Sequence, residues 1–466
     1  MLTASYAFYM AGGWRAVFYI AFITVLTYST GLVMGKVSSK RIKKAVVAAT
    51  LFICFGMLFV LLHWNYVMFT FLSSDRFMLN LIVPLGISFF TFQAVGYVID
   101  VYRAKHTPET NIAKYALFIS FFPQVLQGPI NRFHHLAPQL YDGANFDAAN
   151  IKYGIQLAMW GYFKILVIAA RTNVIVDTVY AHFYVYDGAV IAFGALMYGI
   201  QLYCNFSGGI DIVRGIAKMF GIDMEENFRR PLFSISLADF WRRWHITLGT
   251  WLKDYLFFPL ALSKPIVTLG LFTRKVFKGQ LGKVIPTSIC TLVIYLVVGI
   301  WHGVNLRFIA FGVYNGAVIT ASLLFSEVFK ITKAKLRIND KSWYWRLFSI
   351  LRTGLIVSVG WYIIRAPRLM YGLSMMLRTV SDFRVSSIFD GTLLTLGATS
   401  FNIAVIFVAM AVVAGVELYQ ENGGQVRKDL EKSHFILDLA AIAAPLAVII
   451  FLGMWGYTEP YIYGQP

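Results

Sequence analysis

The sequence predicts an all-α polytopic membrane protein with about 10–12 transmembrane or re-entrant helices. Of its 466 residues, 58% are hydrophobic and 14% are charged, whereas soluble domains carry about 25% charged residues. The mean hydropathy is +0.65, and apolar runs of about 20 residues, the length that crosses a bilayer, recur along the chain. The 23 acidic and 41 basic residues cannot coat the roughly three cores that a soluble chain of this length would form.

The formal net charge of +18 is compatible with nucleic-acid binding or with orientation in a membrane. The basic residues lie in short clusters between apolar runs, as the positive-inside rule predicts for cytoplasmic loops, so we expect no nucleic-acid partner. The cysteines Cys54, Cys204 and Cys290 are far apart and lack a Cys/His ligand spacing. We therefore predict neither a disulfide framework nor a metal site.

Ten segments are long and apolar enough to be predicted as spans. They are 14–33, 45–62, 78–99, 153–170, 188–204, 285–301, 308–329, 346–364, 401–418 and 436–457. Two more, 112–129 and 246–262, are shorter or more polar and are candidates for re-entrant structure, which is tolerated only inside a bundle or along a water-filled cavity. Pro84 and Gly86 should kink the third span, and Pro123 should break the segment at 112–129.

Basic loops orient the predicted spans. The first loop is rich in basic residues, namely Lys36, Lys40, Arg41, Lys43 and Lys44. The next connection, 63–77, is poor in them, so the first loop is predicted to be cytoplasmic and the N-terminus outside. Alternating the side of the membrane from one predicted span to the next places the loops 264–283, 330–346 and 427–432 in the cytoplasm. It places the 301–308 connection and the C-terminal tail on the outside. Four arginines are predicted to lie outside, contrary to the positive-inside rule: Arg365, Arg368, Arg378 and Arg384.

Two polar interruptions of apolar sequence are candidates for a functional site, because ionisable groups are costly inside a membrane. In 240–259, FWRRWHITLGTWLKDYLFFP, helical spacing places six apolar or aromatic residues near one face: Trp241, Trp244, His245, Leu248, Trp251 and Leu252. This stretch is either an interfacial helix whose arginines snorkel to phosphates or a re-entrant element that carries His245 into a cavity.

The second interruption is GIWHG at 299–303, where His302 ends an apolar helix and glycines flank Trp301-His302. This histidine either ends a span at the outer interface or lies inside the bundle, where an imidazole can take a proton from a hydroxyl. A weaker signal is YCNFSGGIDIVR at 203–214, which is either a polar cavity wall or a helix break at Gly208-Gly209. No GxSxG, P-loop or HExxH motif occurs.

These motifs resemble the membrane-bound O-acyltransferases, in particular the bacterial branch of alginate O-acetyltransferase membrane subunits. The resemblance rests on NFRRPLFSISLADFWRRWHITLGTWLKDYLFFPL at 227–260, GIWHG at 299–303, VPLGISFFTFQAVGYVIDVYR at 83–103 and FFPQVLQGPINRF at 121–133. It implies a ring of helices around a central tunnel, with N-terminal helices at 1–77, a catalytic core at 78–420, and a cytoplasmic loop with the last span at 421–466. The sequence departs from the branch pattern at Asn205, Gly209, Asn305, Arg307 and Asn315.

The resemblance also implies a function and a site. The essential histidine of the family falls on His302, and its second conserved polar position falls on His245. Acetyl-CoA would be the cosubstrate, with no tightly bound cofactor, and the acceptor an extracytoplasmic polysaccharide, often reached through an SGNH-hydrolase-like partner. The protein would lie in a bacterial inner membrane. We predict His302 and His245 as catalytic and the following residues as substrate-binding: Trp241, Arg242, Arg243, Trp244, Lys253, Asp254, Trp301, Asn305 and Asp211.

A thioester donor is already activated, so we expect the protein to position a hydroxyl, remove its proton and exclude water. His302 is predicted to be the general base, and His245 to orient the acceptor or to donate to the oxyanion. Arg242, Arg243 and Lys253 either receive the phosphates of CoA or anchor the topology. Other possibilities are D-alanyl transfer to teichoic acid from a carrier-protein thioester, a lipid or sugar transporter, and a non-catalytic scaffold.

Overall fold

A computed structural model describes residues 1–72, 78–143, 145–277, 279–431 and 435–456, and helices dominate it. In chain order they are α1 Leu2–Ala11, α2 Trp14–Lys36, α3 Lys40–Leu72, α4 Ile87–Tyr102, α5 Ile112–Ser120, α6 Phe133–Asp142, α7 Ala148–Tyr162, α8 Ala170–Ala181, α9 Gly188–Met219, α10 Leu237–Arg243, α11 Ile246–Leu252, α12 Phe258–Ala261, α13 Lys264–Val276, α14 Leu281–His302, α15 Leu306–Leu324, α16 Ser326–Lys335, α17 Trp343–Arg365, α18 Leu369–Ser381, α19 Ser400–Glu421, α20 Val426–Glu431 and α21 Phe435–Leu452. Two π-helical segments, Phe163–Ala169 and Lys253–Phe257, join α7 to α8 and α11 to α12.

The all-α membrane fold class is confirmed. Within the described residues, eight helices are long and apolar enough to cross a membrane: Trp14–Lys36, Lys40–Thr70, Ala148–Ala181, Gly188–Met219, Leu281–His302, Leu306–Leu324, Trp343–Arg365 and Ser400–Glu421. Two shorter apolar helices, α4 and α21, coincide with the remaining two predicted spans. The helices Ile246–Ala261 and Lys264–Val276 meet at 64°, the geometry of a broken span or a re-entrant loop. Residues 73–77, Lys278, Lys432 and the tail from 457, which entered the orientation argument, lie outside the described residues. The connection predicted at 63–77 is helical up to Leu72, the end of α3.

The predicted break near Pro123 is confirmed, whereas Pro84 and Gly86 precede the helix of the third predicted span and do not kink it. The third predicted span becomes helical only at Ile87, and α5 ends at Ser120. Gly86 adopts φ 74°, and a Cβ there would lie 1.8 Å from the carbonyl oxygen of Val125. The two irregular segments therefore press against each other inside the protein, as backbone at membrane depth requires.

A chain of buried amides supports these irregular segments. Gln93 donates from Nε2 to the carbonyl oxygen of Phe118 at 2.7 Å and accepts from Gln124 at 3.1 Å, while Asn131 donates to Gln124 at 2.9 Å. Because each buried polar group costs free energy unless it is paired, the chain holds the loop after α5 against α4.

Helix α9 is continuous through Gly208-Gly209, so the predicted alternative of a helix break there is wrong. These positions serve packing instead. A Cβ on Gly161 would lie 2.4 Å from the carbonyl oxygen of Gly208, and one on Gly154 would lie 2.5 Å from that of Gly215. Paired glycines thus let α7 and α9 touch backbone to backbone, as small residues do in membrane bundles.

We expect Gly161→Ala to lower the free energy of unfolding by about 1–3 kcal/mol, because the added methyl group forces two backbones apart. The matched control is Gly415→Ala on α19, where a Cβ meets nothing within 4 Å and helix propensity favours alanine by about 1 kcal/mol. Thermal unfolding in detergent measures both variants. Equal unfolding midpoints for the two variants would contradict the packing role of the glycine pair.

Candidate active site

A cavity of about 1060 Å³ lies between the helices and contains both predicted catalytic histidines. Although they are 57 positions apart in sequence (302 − 245), His245 and His302 line the same space. Six of the predicted substrate-binding residues line it too: Trp241, Arg242, Trp244, Lys253, Trp301 and Asn305. The fold therefore brings the two polar interruptions of the sequence together.

His302 is the last residue of α14, as the sequence analysis expected. Its ring stacks on Phe308 with centroids 6.3 Å apart and meets Phe311 edge-on at 6.1 Å. A Cβ on Gly303 would lie 2.4 Å from the Phe308 ring. The glycine after the histidine is thus needed for α15 to fold back closely enough to place an aromatic wall beside the imidazole.

His245 lies at the break between α10 and α11, with only 4% of its surface exposed. Its backbone adopts the left-handed conformation, φ 47° and ψ 52°, which is strained for a residue with a side chain. An isolated β-bridge between Phe228 and Trp244 precedes it, and Arg229 N donates to Arg243 O at 2.8 Å. This pairing supports the strained turn and aims the imidazole into the cavity.

The break corrects the predicted single helical face over 240–259. The re-entrant interpretation describes the structure better than an interfacial helix, since His245 is buried and α10 and α11 are separate helices. Trp251 points away from the cavity, because its Nε1 donates to Phe92 O at 2.9 Å. Hydrogen bonding to a neighbouring helix decided this orientation, and no local pattern reports it.

Three predicted substrate-binding residues lie outside the cavity, each in an ion pair. Asp211 pairs with Lys164 at 2.5 Å, and Asp254 with Arg132 at 2.9 Å. Arg243 holds Glu421 through two nitrogens, at 2.9 and 3.1 Å, and so braces α10 against α19. Their predicted role in binding substrate remains a prediction, whereas their contacts show a structural one.

Asn227 is a site residue that the sequence analysis did not single out. It is fully buried, and its Oδ1 lies 3.2 Å from Nδ1 of His245. The same oxygen accepts from the backbone N–H of Thr247 at 3.0 Å and from its hydroxyl at 2.9 Å. Asn227 lies 18 positions before His245, and the only sequence signal was its place at the head of the motif at 227–260.

Part of the cavity wall, towards the predicted outer face, is polar and includes one member of the unexplained arginine cluster. Arg365 pairs with Asp177 at 2.5 Å, and Asn173 donates to Asp177 at 3.0 Å. All three line the cavity, together with Arg307. Arg384 is held by Asp382 at 2.8 Å. Arg365 therefore has a place at the site that loop counting could not reveal.

Sequence comparisons agree with this architecture. Residues 103–274 match the sequence model of the membrane-bound O-acyltransferase family. The probable alginate O-acetylase of Pseudomonas syringae is 32% identical over 431 residues, which covers 89% of this chain and 75% of the relative. The peptidoglycan O-acetyltransferase of Helicobacter pylori is 31% identical over 62% of this chain and 55% of its own. The teichoic acid D-alanyltransferase of Bacillus subtilis is 26% identical over 61% of this chain and 69% of its own.

The helical fold and these relatives define a multi-pass membrane O-acyltransferase of the bacterial inner membrane. The chain belongs to the membrane-bound O-acyltransferase family. The family resemblance and the enzyme class predicted from the sequence are thereby confirmed.

We expect Glu421→Ala to lower the free energy of unfolding by about 1.5–3 kcal/mol, because it removes the carboxylate that three arginines share, two of them partly buried. Glu421 is 9% exposed and pairs with Arg230 at 2.7 Å, Arg243 at 2.9 Å and Arg346 at 3.0 Å. The control is Asp340→Ala, which removes an exposed pair with Lys333 and should cost about 1 kcal/mol or less. Chemical unfolding in detergent micelles tests both; similar losses would refute the bracing role.

Proposed function

We propose that the protein transfers an acetyl group from acetyl-CoA, entering from the cytoplasm, to a hydroxyl on the outer side of the membrane. That hydroxyl belongs to an extracytoplasmic polysaccharide or to an SGNH-hydrolase-like partner that carries the acetyl group onward. The observation that carries the proposal is the pairing of His302 and His245 in one cavity inside the membrane bundle. The alginate and peptidoglycan O-acetyltransferase names of the relatives support the acetyl group and a polysaccharide product.

The chemistry requires one proton acceptor and a dry site. The acceptor oxygen attacks the thioester carbonyl carbon, His302 takes the hydroxyl proton, and a C–O bond forms. The C–S bond then breaks, and the sulfur leaves as a thiolate that takes up a proton to become the free thiol. We take each imidazole as neutral at the start, because an apolar cavity disfavours the charged form of an imidazole and because two cations there would repel each other.

The walls of the cavity suit this reaction because they exclude water from the thioester. Trp301 lies next to both imidazoles, with its ring centroid 6.0 Å from that of His245 and 4.6 Å from that of His302. Trp241 is fixed by a hydrogen bond from Nε1 to Asn315 Oδ1 at 3.1 Å. Rigid aromatic walls position the reactants and keep the dielectric constant low, which strengthens every electrostatic interaction in the transition state.

Arg242 and Lys253 are the candidates for binding the phosphates of the donor. Both line the cavity, Arg242 on α10 and Lys253 at the start of the π-helical segment after α11, and both precede the loop at 264–283 that the orientation argument places inside. The side chain of Arg242 is 73% exposed, so its guanidinium group can turn towards a phosphate, a geometry that arginine recognises with two parallel hydrogen bonds.

A second candidate function is D-alanyl transfer from a carrier-protein thioester, which the similarity to the teichoic acid D-alanyltransferase of Bacillus subtilis favours. Its chemistry at the histidines would be the same, and only the donor and acceptor would differ. Supplying the purified protein with acetyl-CoA or with a D-alanyl carrier protein separates the two. A transporter needs no proton acceptor at His302 and would tolerate His302→Gln.

We expect His302→Ala to abolish acetyl transfer while the protein still inserts into the membrane, because the hydroxyl loses its proton acceptor. Mass spectrometry of cell-envelope polysaccharides from cells with and without each variant measures the product. The control is His182→Ala, which removes an exposed histidine in a loop and should leave acetylation unchanged. Acetylated polymer in the His302→Ala strain would exclude the assignment.

We expect Arg242→Ala to raise the KM for acetyl-CoA about 3- to 10-fold with little change in kcat, because a charged hydrogen bond to phosphate is lost. The matched control is Arg229→Ala: Arg229 pairs with Glu226 at i,i+3, as Arg242 pairs with Asp239, but it does not line the cavity. Kinetics with radiolabelled acetyl-CoA in nanodiscs test both, and the effect should shrink in high salt. An equal effect of the two variants would rule out a donor site at Arg242.

A further inference from the structure

The protonation of His245 follows from the atoms around Asn227. The backbone N–H of Thr247 can only donate, and it lies 3.0 Å from the Asn227 side chain, so the atom it meets is the amide oxygen. That oxygen can only accept, and it lies 3.2 Å from Nδ1 of His245. The hydrogen bond therefore requires the proton of the neutral imidazole to be on Nδ1, which leaves Nε2 with a free electron pair for accepting a proton.

A second donor reinforces this assignment. The hydroxyl oxygen of Thr247 accepts from the backbone N–H of Ile130 at 3.0 Å and lies 2.9 Å from the Asn227 oxygen. Its own proton is thereby directed to Asn227. The two segments are also tied by their backbones, since Ile246 N donates to Asn227 O at 3.0 Å. These contacts fix the position of the Asn227 side-chain oxygen. If the oxygen and nitrogen of this amide were exchanged, its NH₂ group would face the donors of Thr247 and His245.

The imidazole ring itself has little freedom to turn. It meets Phe206 edge-on at 4.9 Å, lies over Phe89 at 6.5 Å and meets Trp301 at 6.0 Å. Turning the ring by half a revolution would put a carbon where Nδ1 meets Asn227. The surrounding rings and the strained backbone of His245 thus preserve both the orientation and the tautomer.

We infer that Asn227 is a positioning residue which makes His245 the second proton acceptor of the site, and that His245 relays the proton released at the acceptor hydroxyl to the leaving thiolate. This inference rests on the proposed acetyl transfer. His302 takes the proton from the hydroxyl oxygen, Nε2 of His245 receives it from His302, and the thiolate sulfur takes it from Nε2. The proton lost by the alcohol is the one gained by the thiol, and both imidazoles return to neutral.

The tautomer assigned to His245 argues against one of its two predicted roles, which were to orient the acceptor and to donate to the oxyanion. A neutral imidazole with its proton on Nδ1 cannot donate from Nε2 to an oxyanion, so the alternative of oxyanion stabilisation by neutral His245 is excluded under this assignment. His302 is the ionisable group whose charge acts on His245 among the described residues. The other elements around the ring contribute Asn227, Phe89, Phe206 and Trp301.

Nitrogen-15 solid-state NMR of the histidine-labelled protein in bilayers measures the tautomer of His245 independently of any acyltransferase activity. The His245 signals are identified by their loss in His245→Gln. We expect a protonated Nδ1 and an unprotonated Nε2 in the unmodified protein, and a mixture of tautomers in Asn227→Ala. The matched control is Asn131→Ala, which removes an equally buried amide that contacts no histidine and should leave the signals unchanged. A protonated Nε2 in the neutral ring of the unmodified protein overturns the inference.

Kinetic measurements distinguish a positioning role of Asn227 from a role in packing alone. We expect Asn227→Ala to lower kcat about 10²-fold with an unchanged KM for acetyl-CoA, since proton transfer is impaired. Asn227→Asp keeps an acceptor for all three donors and stabilises the charged imidazolium, so the acidic limb of the pH profile should move up by about 1–3 pH units. Unaltered profiles in both variants overturn the relay.

The two proposals fail in different ways. If the histidine has the expected tautomer but no acyl group is transferred from acetyl-CoA or from a carrier protein, the proposed function is refuted and the relay with it. If the protein transfers acetyl groups but His245 has the opposite tautomer, only the relay is refuted.

Discussion

The structure depends on the need to satisfy backbone polar groups inside a membrane, where no water can pair with them. Long helices solve this problem for most of the chain. The site is built where helices stop, and there the backbone is paired by its neighbours. The Phe228–Trp244 bridge and the hydrogen bond from Ile130 N to Thr247 tie two irregular segments to the turn at His245. The same pairing that makes the irregular backbone tolerable also holds the imidazole in a strained conformation.

Most of the ion pairs described above lie apart from the cavity that holds the two histidines. Ion pairs such as Lys164–Asp211 and those between Glu421 and its arginines join segments that are distant in sequence. They lie outside the cavity, whose wall next to the two imidazoles includes the rings of Phe206, Trp301 and Phe308. This separation suits the acyl transfer that we propose, in which a thioester must be kept from water. Arg365 and Asp177 are an exception, because this ion pair lines the cavity.

The sequence predicted the spans and both histidines because those signals are local. A run of 20 apolar residues indicates a membrane span. An ionisable residue within such a run costs free energy in the membrane and therefore indicates a functional role. It did not predict the break at His245 or the orientation of Trp251, because helical periodicity assumes a continuous helix. It also left Gly208-Gly209 undecided. A glycine that breaks a helix and one that lets two helices touch look the same until the partner helix is known.

The sequence by itself determined an all-helical membrane protein and the family to which it belongs, and it singled out the two histidines that we propose as its catalytic residues. Only the tertiary structure decided that residues 245 and 302 share a cavity, that Asp211, Arg243 and Asp254 are committed to ion pairs, and that Asn227 carries the oxygen facing Nδ1 of His245. The physical reason is that hydropathy is a property of each segment, whereas hydrogen bonds and ion pairs belong to pairs of atoms that folding brings together.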